Sequence, residues 1–213
     1  MILQCDWNKI TSLAYVFLLE LNYPAFPIPP QNLKCKEAKI ISYQRYAELT
    51  NISIEQITCE HALDDAFVIK GLRPGKSFIF YNRDKYSNRL KHTLLHEIGH
   101  LKCGHRTHGD KEEIEAHFFA AQANAPNVLI HEMSKRGYTI DATFLQECFG
   151  LSEEAAQKKM NYLSKYGFYH KNSYDDIILN FFKDYINQKY PARTIHFHDD
   201  YFDRQEKERN DWY

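Results

Sequence analysis

Hydrophobic residues recur at helical spacing near the start of the chain and through most of its second half. At residues 7–21 the apolar positions fall three or four apart, which predicts an amphipathic helix that ends at the prolines of residues 24–30. A short helix is also predicted at residues 31–38. The later helices are predicted at residues 87–103, 111–125, 141–149, 152–166 and 174–189, with N-caps at Asp110, Asp141 and Ser152.

Three short segments before the later helices are rich in branched and aromatic residues. They lie at residues 40–43, 66–69 and 77–82 and are predicted to be strands. A few strands followed by a run of helices indicate an α+β fold rather than an alternating α/β fold. We therefore expect a small antiparallel or mixed sheet of about three strands packed on a helical core. A domain is predicted at residues 1–167 and a helical extension with a polar tail at residues 168–213.

The overall composition excludes several classes of protein. The 213 residues include 27 Lys and Arg against 28 Asp and Glu, and this balance gives no bulk attraction for nucleic acid or anionic lipid. No apolar run approaches the ~18 residues of a membrane span, and the start of the chain lacks the features of a signal peptide. Five scattered cysteines without a CxxC pair favour reduced thiols. We expect a cytoplasmic protein that does not bind membranes.

One motif indicates a metal site. Residues 96–100 read HEIGH and match the HExxH pattern. On a helix, His96 and His100 share a face one turn apart, so both imidazoles can bind one zinc ion. Glu97 lies beside this pair, where its carboxylate can take a proton from the attacking water and pass it to the leaving amine. Two surface histidines can also fall four apart by chance. The surrounding sequence therefore decides whether the motif is a metal site.

A hydrolytic zinc site needs a third protein ligand and an open position for water. The extended motif HExxHxxGxxH is excluded, because Cys103 and Arg106 occupy its glycine and its last histidine positions. His105 and His108 follow closely. Either would require a sharp bend after the motif helix to return to the metal, so both are minor candidates.

The helix predicted at residues 111–125 supplies better candidates for the third ligand. Its inward stripe consists of small and aromatic residues, namely Ala116, Phe119, Ala120 and Ala123. Glu113 lies three residues before Ala116 and points along this face, so helical phase makes it the first choice. Glu115 is the second choice and Glu112 the third. Helical phase alone does not exclude any of these three glutamates as the third ligand.

Together these segments resemble the ImmA/IrrE family of zinc metallopeptidases. That family pairs an HExGH helix with a second helix of pattern ExEAxxFA that is followed by a proline. Here residues 113–120 read EIEAHFFA, and Pro126 lies at the position of the family's proline. The combined motifs are far more specific than HExxH alone. The chain departs from the family at residues 122–125 and at His117, where Asn or Asp is common.

The resemblance implies a zincin-like helical core with one zinc ion per chain. It implies His96, His100 and Glu113 as zinc ligands and Glu97 as the catalytic base. It further implies an endopeptidase whose protein substrate is a helix-turn-helix transcriptional repressor of a mobile element, prophage or stress response. The alternative is a non-catalytic, metal-containing regulator that binds a repressor or an antitoxin-like partner, because a fold does not fix an activity.

Two further questions concern how this chain would contact a partner. The strand at residues 77–82 is either a sheet edge on which an extended substrate adds a strand or an ordinary core strand. The helices at residues 141–149 and 152–166 resemble a helix-turn-helix. Glu153 and Glu154, however, stand where a recognition helix would approach phosphates. Direct binding of nucleic acid is therefore disfavoured.

Overall fold

The computed structural model describes six stretches of the chain, residues 5–61, 64–71, 77–84, 87–107, 109–167 and 171–193. Within these stretches the protein has an α+β fold in which a three-stranded sheet lies among α-helices, as predicted. The strands are β1 (Ala38–Ser42), β2 (Ala66–Ile69) and β3 (Ser77–Tyr81). The helices are α1 (Trp7–Leu21), α2 (Tyr43–Thr50), α3 (Ile54–Thr58), α4 (Ser87–Lys102), α5 (Asp110–Asn124), α6 (Asn127–Lys135), α7 (Ala142–Phe149), α8 (Glu153–Tyr166), α9 (Asp175–Phe181) and α10 (Lys183–Lys189). None of the helices in these stretches has the length and apolar character needed to cross a membrane.

Strand β3 is the central strand of the sheet. It pairs in parallel with β1, where Ala38 lies opposite Ser77, and antiparallel with β2, where Ala66 lies opposite Tyr81. The sheet is therefore mixed, with β1 and β2 as its edges. Because β3 is already paired on both sides, it cannot accept a further strand. Of the two interpretations of residues 77–82, the core strand is the correct one.

The two faces of the sheet pack against different helices. Alternate residues of a strand point to opposite faces. The face that carries Ala38, Ala66 and Ile79 belongs to the main core, into which α4 packs against β2 and β3. The opposite face forms a smaller cluster that consists of Ile41, Tyr43, Ile57, Phe67 and Phe80. Apolar residues on both faces explain why the strands lack a strict polar alternation.

Helix α5 is the centre of the helical part of the fold. It packs against α4 and α1, and its small residues Ala116 and Ala120 are fully buried. Phe17 of α1 contacts Phe119 of α5, with ring centroids 5.8 Å apart. Gly99 of α4 approaches α5 so closely that a Cβ atom there would lie 3.1 Å from the Ala116 carbonyl oxygen. Small residues on both helices therefore determine how near α4 and α5 come to each other.

The described part of the predicted C-terminal extension packs on the same core. Helices α9 and α10 contribute Ile178, Phe182 and Ile186 to it. Phe26 stacks on Phe182 with ring centroids 5.0 Å apart. The domain boundary at residue 167 stays a prediction, and residues 194–213 of the polar tail lie outside the described residues.

The longest predicted helices are confirmed. The bounds of α1, α4, α5, α7 and α8 agree with the predicted ones to within one residue. Asp141 and Ser152 are confirmed as N-caps, because their side chains accept hydrogen bonds from the backbone N–H groups of residues 144 and 155. The prediction for Asp110 was wrong, since Gly109 is the N-cap of α5 and Asp110 lies in its first turn.

Several shorter elements differ from the sequence prediction. The helix predicted at residues 31–38 is only a 3₁₀ turn at Pro30–Asn32, because Ala38 already pairs in the sheet and strand pairing outweighs helix propensity there. The spacing of hydrophobic residues does not predict α2, α3 or α6. Helix α6 begins directly after Pro126, since proline suits a helix start, where its missing N–H is not needed. The helix predicted at residues 174–189 is two helices that meet at the buried Phe182.

We expect Gly99→Ala to destabilise the protein, although alanine favours helices more than glycine does. The added methyl group would meet the backbone of Ala116 and, at 3.1 Å, the Cδ1 atom of Phe119. The free energy of unfolding, measured by urea denaturation, should fall by about 1–3 kcal/mol. Ser164→Ala, at an exposed position of α8, is the control and should change that energy by less than about 0.5 kcal/mol. An unchanged stability of Gly99→Ala would contradict the close approach of the two helices.

Candidate metal centre

His96 and His100 lie one turn apart on α4 and face α5. Their Nε2 atoms are 3.1 Å apart. The His100 side chain is 2% exposed and that of His96 is 12% exposed. Leu95 and Ile98 of the same helix are buried in the main core. Helix α4 is therefore anchored by its apolar side and presents both imidazoles on another side.

Glu113, in the first turn of α5, completes a cluster with these two histidines. One of its carboxylate oxygens lies 3.3 Å from His96 Nε2 and the other lies 3.3 Å from His100 Nε2. The Glu113 side chain is 40% exposed, so the cluster is open to solvent on this side. The structure therefore brings together the two motif histidines and the acid that helical phase favours.

The three side chains fit a zinc ion. Ligand atoms bound at ~2.0 Å to a tetrahedral zinc lie about 3.3 Å from one another, and the two Nε2 atoms are 3.1 Å apart. Glu113 faces the two imidazoles with one oxygen each, at 3.3 Å from either Nε2 atom. Two imidazoles and a carboxylate are also a donor set of catalytic zinc sites, which keep a fourth position for water. His96, Glu113 and His117 also form a group whose ligand atoms lie within 4.8 Å of one another. His117 is therefore a further candidate ligand beside the two motif histidines.

Glu97 lies beside this cluster in an environment unlike that of a surface carboxylate. Burial and, next, the negative charge of Glu113 raise the pKa of Glu97 to about 8. Asp64 also raises it and Lys70 lowers it. Asp64 and Lys70 flank strand β2. Glu97 therefore interacts electrostatically with the cluster and with both ends of an edge strand. A cation held by the cluster would lower this pKa, because it favours the charged carboxylate.

Glu115, the second choice for a ligand, has a different partner. Its Oε2 atom lies 3.0 Å from His105 Nε2. The Nδ1 atom of His105 in turn lies 3.1 Å from His100 Nδ1. This is the ring nitrogen of His100 that does not contact Glu113. His105 and Glu115 therefore contact His100 on the side of its ring that faces away from Glu113.

The sequence also offers Glu112 and His108 as ligand candidates. Glu112 accepts a hydrogen bond of 3.2 Å from the Thr107 hydroxyl. Its carboxylate thus turns back toward the start of α5. His108 lies outside the described residues.

His117 extends the cluster toward the surface. Its ring centroid lies 4.3 Å from that of His96 and 5.9 Å from that of His92. Burial and then the neighbouring His117 lower the pKa of His96 and of His92 to about 4, so both rings are neutral near pH 7. Neutral imidazole is the form that binds a metal. The sequence marks His117 only as a departure from the family pattern, although its spacing of four from Glu113 places both on one helix face.

A groove of about 1070 Å³ opens beside His117. Aromatic residues line much of it, among them Trp7, Phe118, Tyr162 and Tyr166. The rings of Trp7 and Phe118 are in contact, with centroids 4.7 Å apart. Because His117 both lines the groove and contacts His96, the groove reaches the edge of the candidate metal centre.

The IrrE N-terminal-like domain is a peptidase family whose sequence profile matches residues 38–161. The match covers more than half of the chain and includes both helices of the cluster. The chain belongs to this family. The resemblance that the motifs indicate is thereby confirmed, and membership of the IrrE N-terminal-like family supports a metallopeptidase-type function. No curated protein and no solved structure matches the chain significantly.

We expect the stability of Glu97→Gln, relative to that of the wild type, to increase as the pH rises. Both proteins are first freed of metal with a chelator. Folded Glu97 keeps its proton up to about pH 8, whereas an ordinary carboxyl loses it near 4.5. Between these values the folded state binds more protons, so the wild type loses stability with rising pH, and glutamine removes that loss. The measurement is urea denaturation at about pH 5 and about pH 8.

The control for this experiment is Glu112→Gln. Neighbouring hydrogen bonds hold the pKa of Glu112 below its ordinary value, so above about pH 5 it is charged in both folded and unfolded states. Its stability difference from the wild type should not depend on pH in this window. A pH-independent difference for Glu97→Gln as well would contradict the buried environment of Glu97.

Proposed function

We propose that this protein is a zinc-dependent endopeptidase that hydrolyses a peptide bond in a protein substrate. The observation that carries the proposal is the convergence of His96, His100 and Glu113 within 3.3 Å of one another, next to Glu97. Membership of a peptidase family supports the same chemistry. Imidazole ligands favour zinc over magnesium or calcium, which prefer oxygen ligands.

Each residue has one role in this proposal. His96, His100 and Glu113 hold the zinc ion, which supplies Lewis acidity for the scissile carbonyl and for the attacking water. Glu97 takes the proton from that water and then passes it to the nitrogen of the leaving amine. The burial of Glu97 supports this role, because removal from bulk water raises the proton affinity of a carboxylate.

Two features near the cluster support a peptide as the substrate. Strand β2 is an edge of the sheet, and residues at both of its ends interact electrostatically with Glu97. A peptide that pairs with β2 would therefore pass close to the base. The aromatic groove beside His117 has room for apolar side chains. Following the family resemblance, we propose that the substrate is a helix-turn-helix transcriptional repressor of a mobile element, prophage or stress response.

We expect Glu97→Gln to abolish cleavage while zinc binding persists. The amide keeps the shape of the side chain but cannot accept the proton, so the cleavage rate should fall at least about 100-fold. The assay incubates the zinc-loaded protein with purified helix-turn-helix repressors encoded beside its gene and detects fragments by mass spectrometry. Glu112→Gln removes an equal charge outside the cluster and should cleave at the wild-type rate.

Two outcomes of that assay would contradict the proposal. Cleavage by Glu97→Gln at the wild-type rate would remove Glu97 from the mechanism. A stable complex of repressor with wild-type protein, formed without fragments, would favour the non-catalytic regulator instead.

We expect Glu113→Ala to weaken zinc binding more than any change outside the ligand set. Loss of an outer partner of a ligand typically costs 10- to 100-fold in affinity, so loss of a ligand should exceed about 100-fold. The dissociation constant is measured by competition with a chromophoric chelator, with Glu97→Gln as the control that keeps all ligands. If Glu113→Ala binds zinc as the wild type does, Glu113 is not a ligand. If His117→Ala weakens binding more than His100→Ala, the group of His96, Glu113 and His117 is the true site.

A further inference from the structure

Behind the candidate metal centre, three side chains form a chain of hydrogen bonds. His100 Nδ1 lies 3.1 Å from His105 Nδ1, and His105 Nε2 lies 3.0 Å from Glu115 Oε2. The side chains of His105 and Glu115 are only 6% and 15% exposed. The chain thus connects an acid on α5 with the ring nitrogen of His100 that does not contact Glu113.

The end of helix α4 explains how His105 reaches this place. Gly104 adopts a left-handed conformation with φ 75°. Its N–H donates to the Leu101 carbonyl at 3.1 Å, and the N–H of His105 donates to the His100 carbonyl at 2.9 Å. This pair of bonds is a Schellman motif, which ends a helix and reverses the backbone. His105 is thereby returned onto His100, and Lys70 Nζ donates to the His105 carbonyl at 2.5 Å.

These hydrogen bonds determine where the protons lie when Glu115 is a charged carboxylate and His105 carries a single ring proton. A charged carboxylate only accepts hydrogen bonds, so His105 Nε2 carries a proton and donates it. When the ring of His105 carries only this proton, its Nδ1 atom has a lone pair, which accepts from the Nδ1–H group of His100. His100 keeps a lone pair on Nε2, the atom that faces His96 and Glu113. This is the tautomer that a metal ligand on Nε2 requires.

We propose that Glu115 and His105 are positioning residues that hold His100 in its metal-binding tautomer and orientation. The inference rests on the proposed function, because it assigns a role toward the same zinc ion. His96 has no equivalent support, since its Nδ1 atom is buried without a hydrogen-bond partner among the described residues. The protein therefore fixes one of the two motif histidines through side-chain hydrogen bonds and the other through packing.

The first test compares zinc affinities, which do not depend on the substrate or on turnover. Glu115→Gln keeps the shape of the side chain but replaces an obligatory acceptor by an amide that can also donate, so the tautomer of His100 is no longer fixed. We expect zinc affinity, measured on metal-free protein by competition with a chromophoric chelator, to fall about 10-fold. His105→Ala should lower it about 10- to 100-fold. Glu112→Gln, which carries the same change in charge on the same helix, should bind zinc as the wild type does.

The second test combines the two changes. If Glu115 acts through His105, Glu115→Gln should have no further effect on zinc affinity in the His105→Ala background. A merely structural role of each side chain would instead give independent effects that multiply. Thermal unfolding of the metal-free proteins identifies the folded variants, and His105→Gln, which is closer in size, replaces His105→Ala if the latter does not fold.

Each result has a defined meaning. Weaker binding by both single variants, with no further loss in the double variant, supports the positioning role. Wild-type-like affinity of both single variants, or effects that multiply in the double variant, would overturn it and leave the proposed function intact. If the wild type itself binds no zinc, the proposed function fails and the inference fails with it.

Discussion

The close packing of helix α4 against helix α5 is the constraint on which the candidate metal centre depends. At the contact, Gly99 lies so close to α5 that a Cβ atom there would be 3.1 Å from the Ala116 carbonyl oxygen, a distance tighter than ordinary packing. This approach brings the Glu113 carboxylate to 3.3 Å from two imidazoles. Separating the helices by the width of a methyl group would break the spacing that a tetrahedral ion requires, because interiors this dense transmit small changes in volume.

Helix α5 contributes to the centre from both flanks of its buried stripe. On one flank, Glu113 contacts the Nε2 atoms of the two motif histidines. On the other flank, Glu115 contacts His105 and, through it, the far side of His100. One helix therefore supplies both a candidate ligand and the support of another ligand. The same burial that assembles this arrangement keeps His96 neutral and raises the pKa of Glu97.

The sequence predicts the local parts of this arrangement well. The HExxH spacing and the apolar stripe of α4 are properties of a single helix, and both agree with the structure. Helical phase ranks Glu113 ahead of its neighbours because the direction of a side chain on a helix follows from its position. The same reasoning does not predict the contact between Glu115 and His105. Their contact depends on how the chain turns at Gly104 after α4, and helical phase carries no information about that turn.

The sequence by itself determined the five helices α1, α4, α5, α7 and α8, the α+β class, the family and a short set of candidate ligands, because periodicity and motif spacing are local properties. Only the tertiary structure decided that β3 is a central strand, since strand order depends on pairing between distant segments. It also decided which acid meets both imidazoles, and that His117 and an aromatic groove border the cluster. These outcomes depend on distances between separate elements, which are set by the packing of small residues at their contacts.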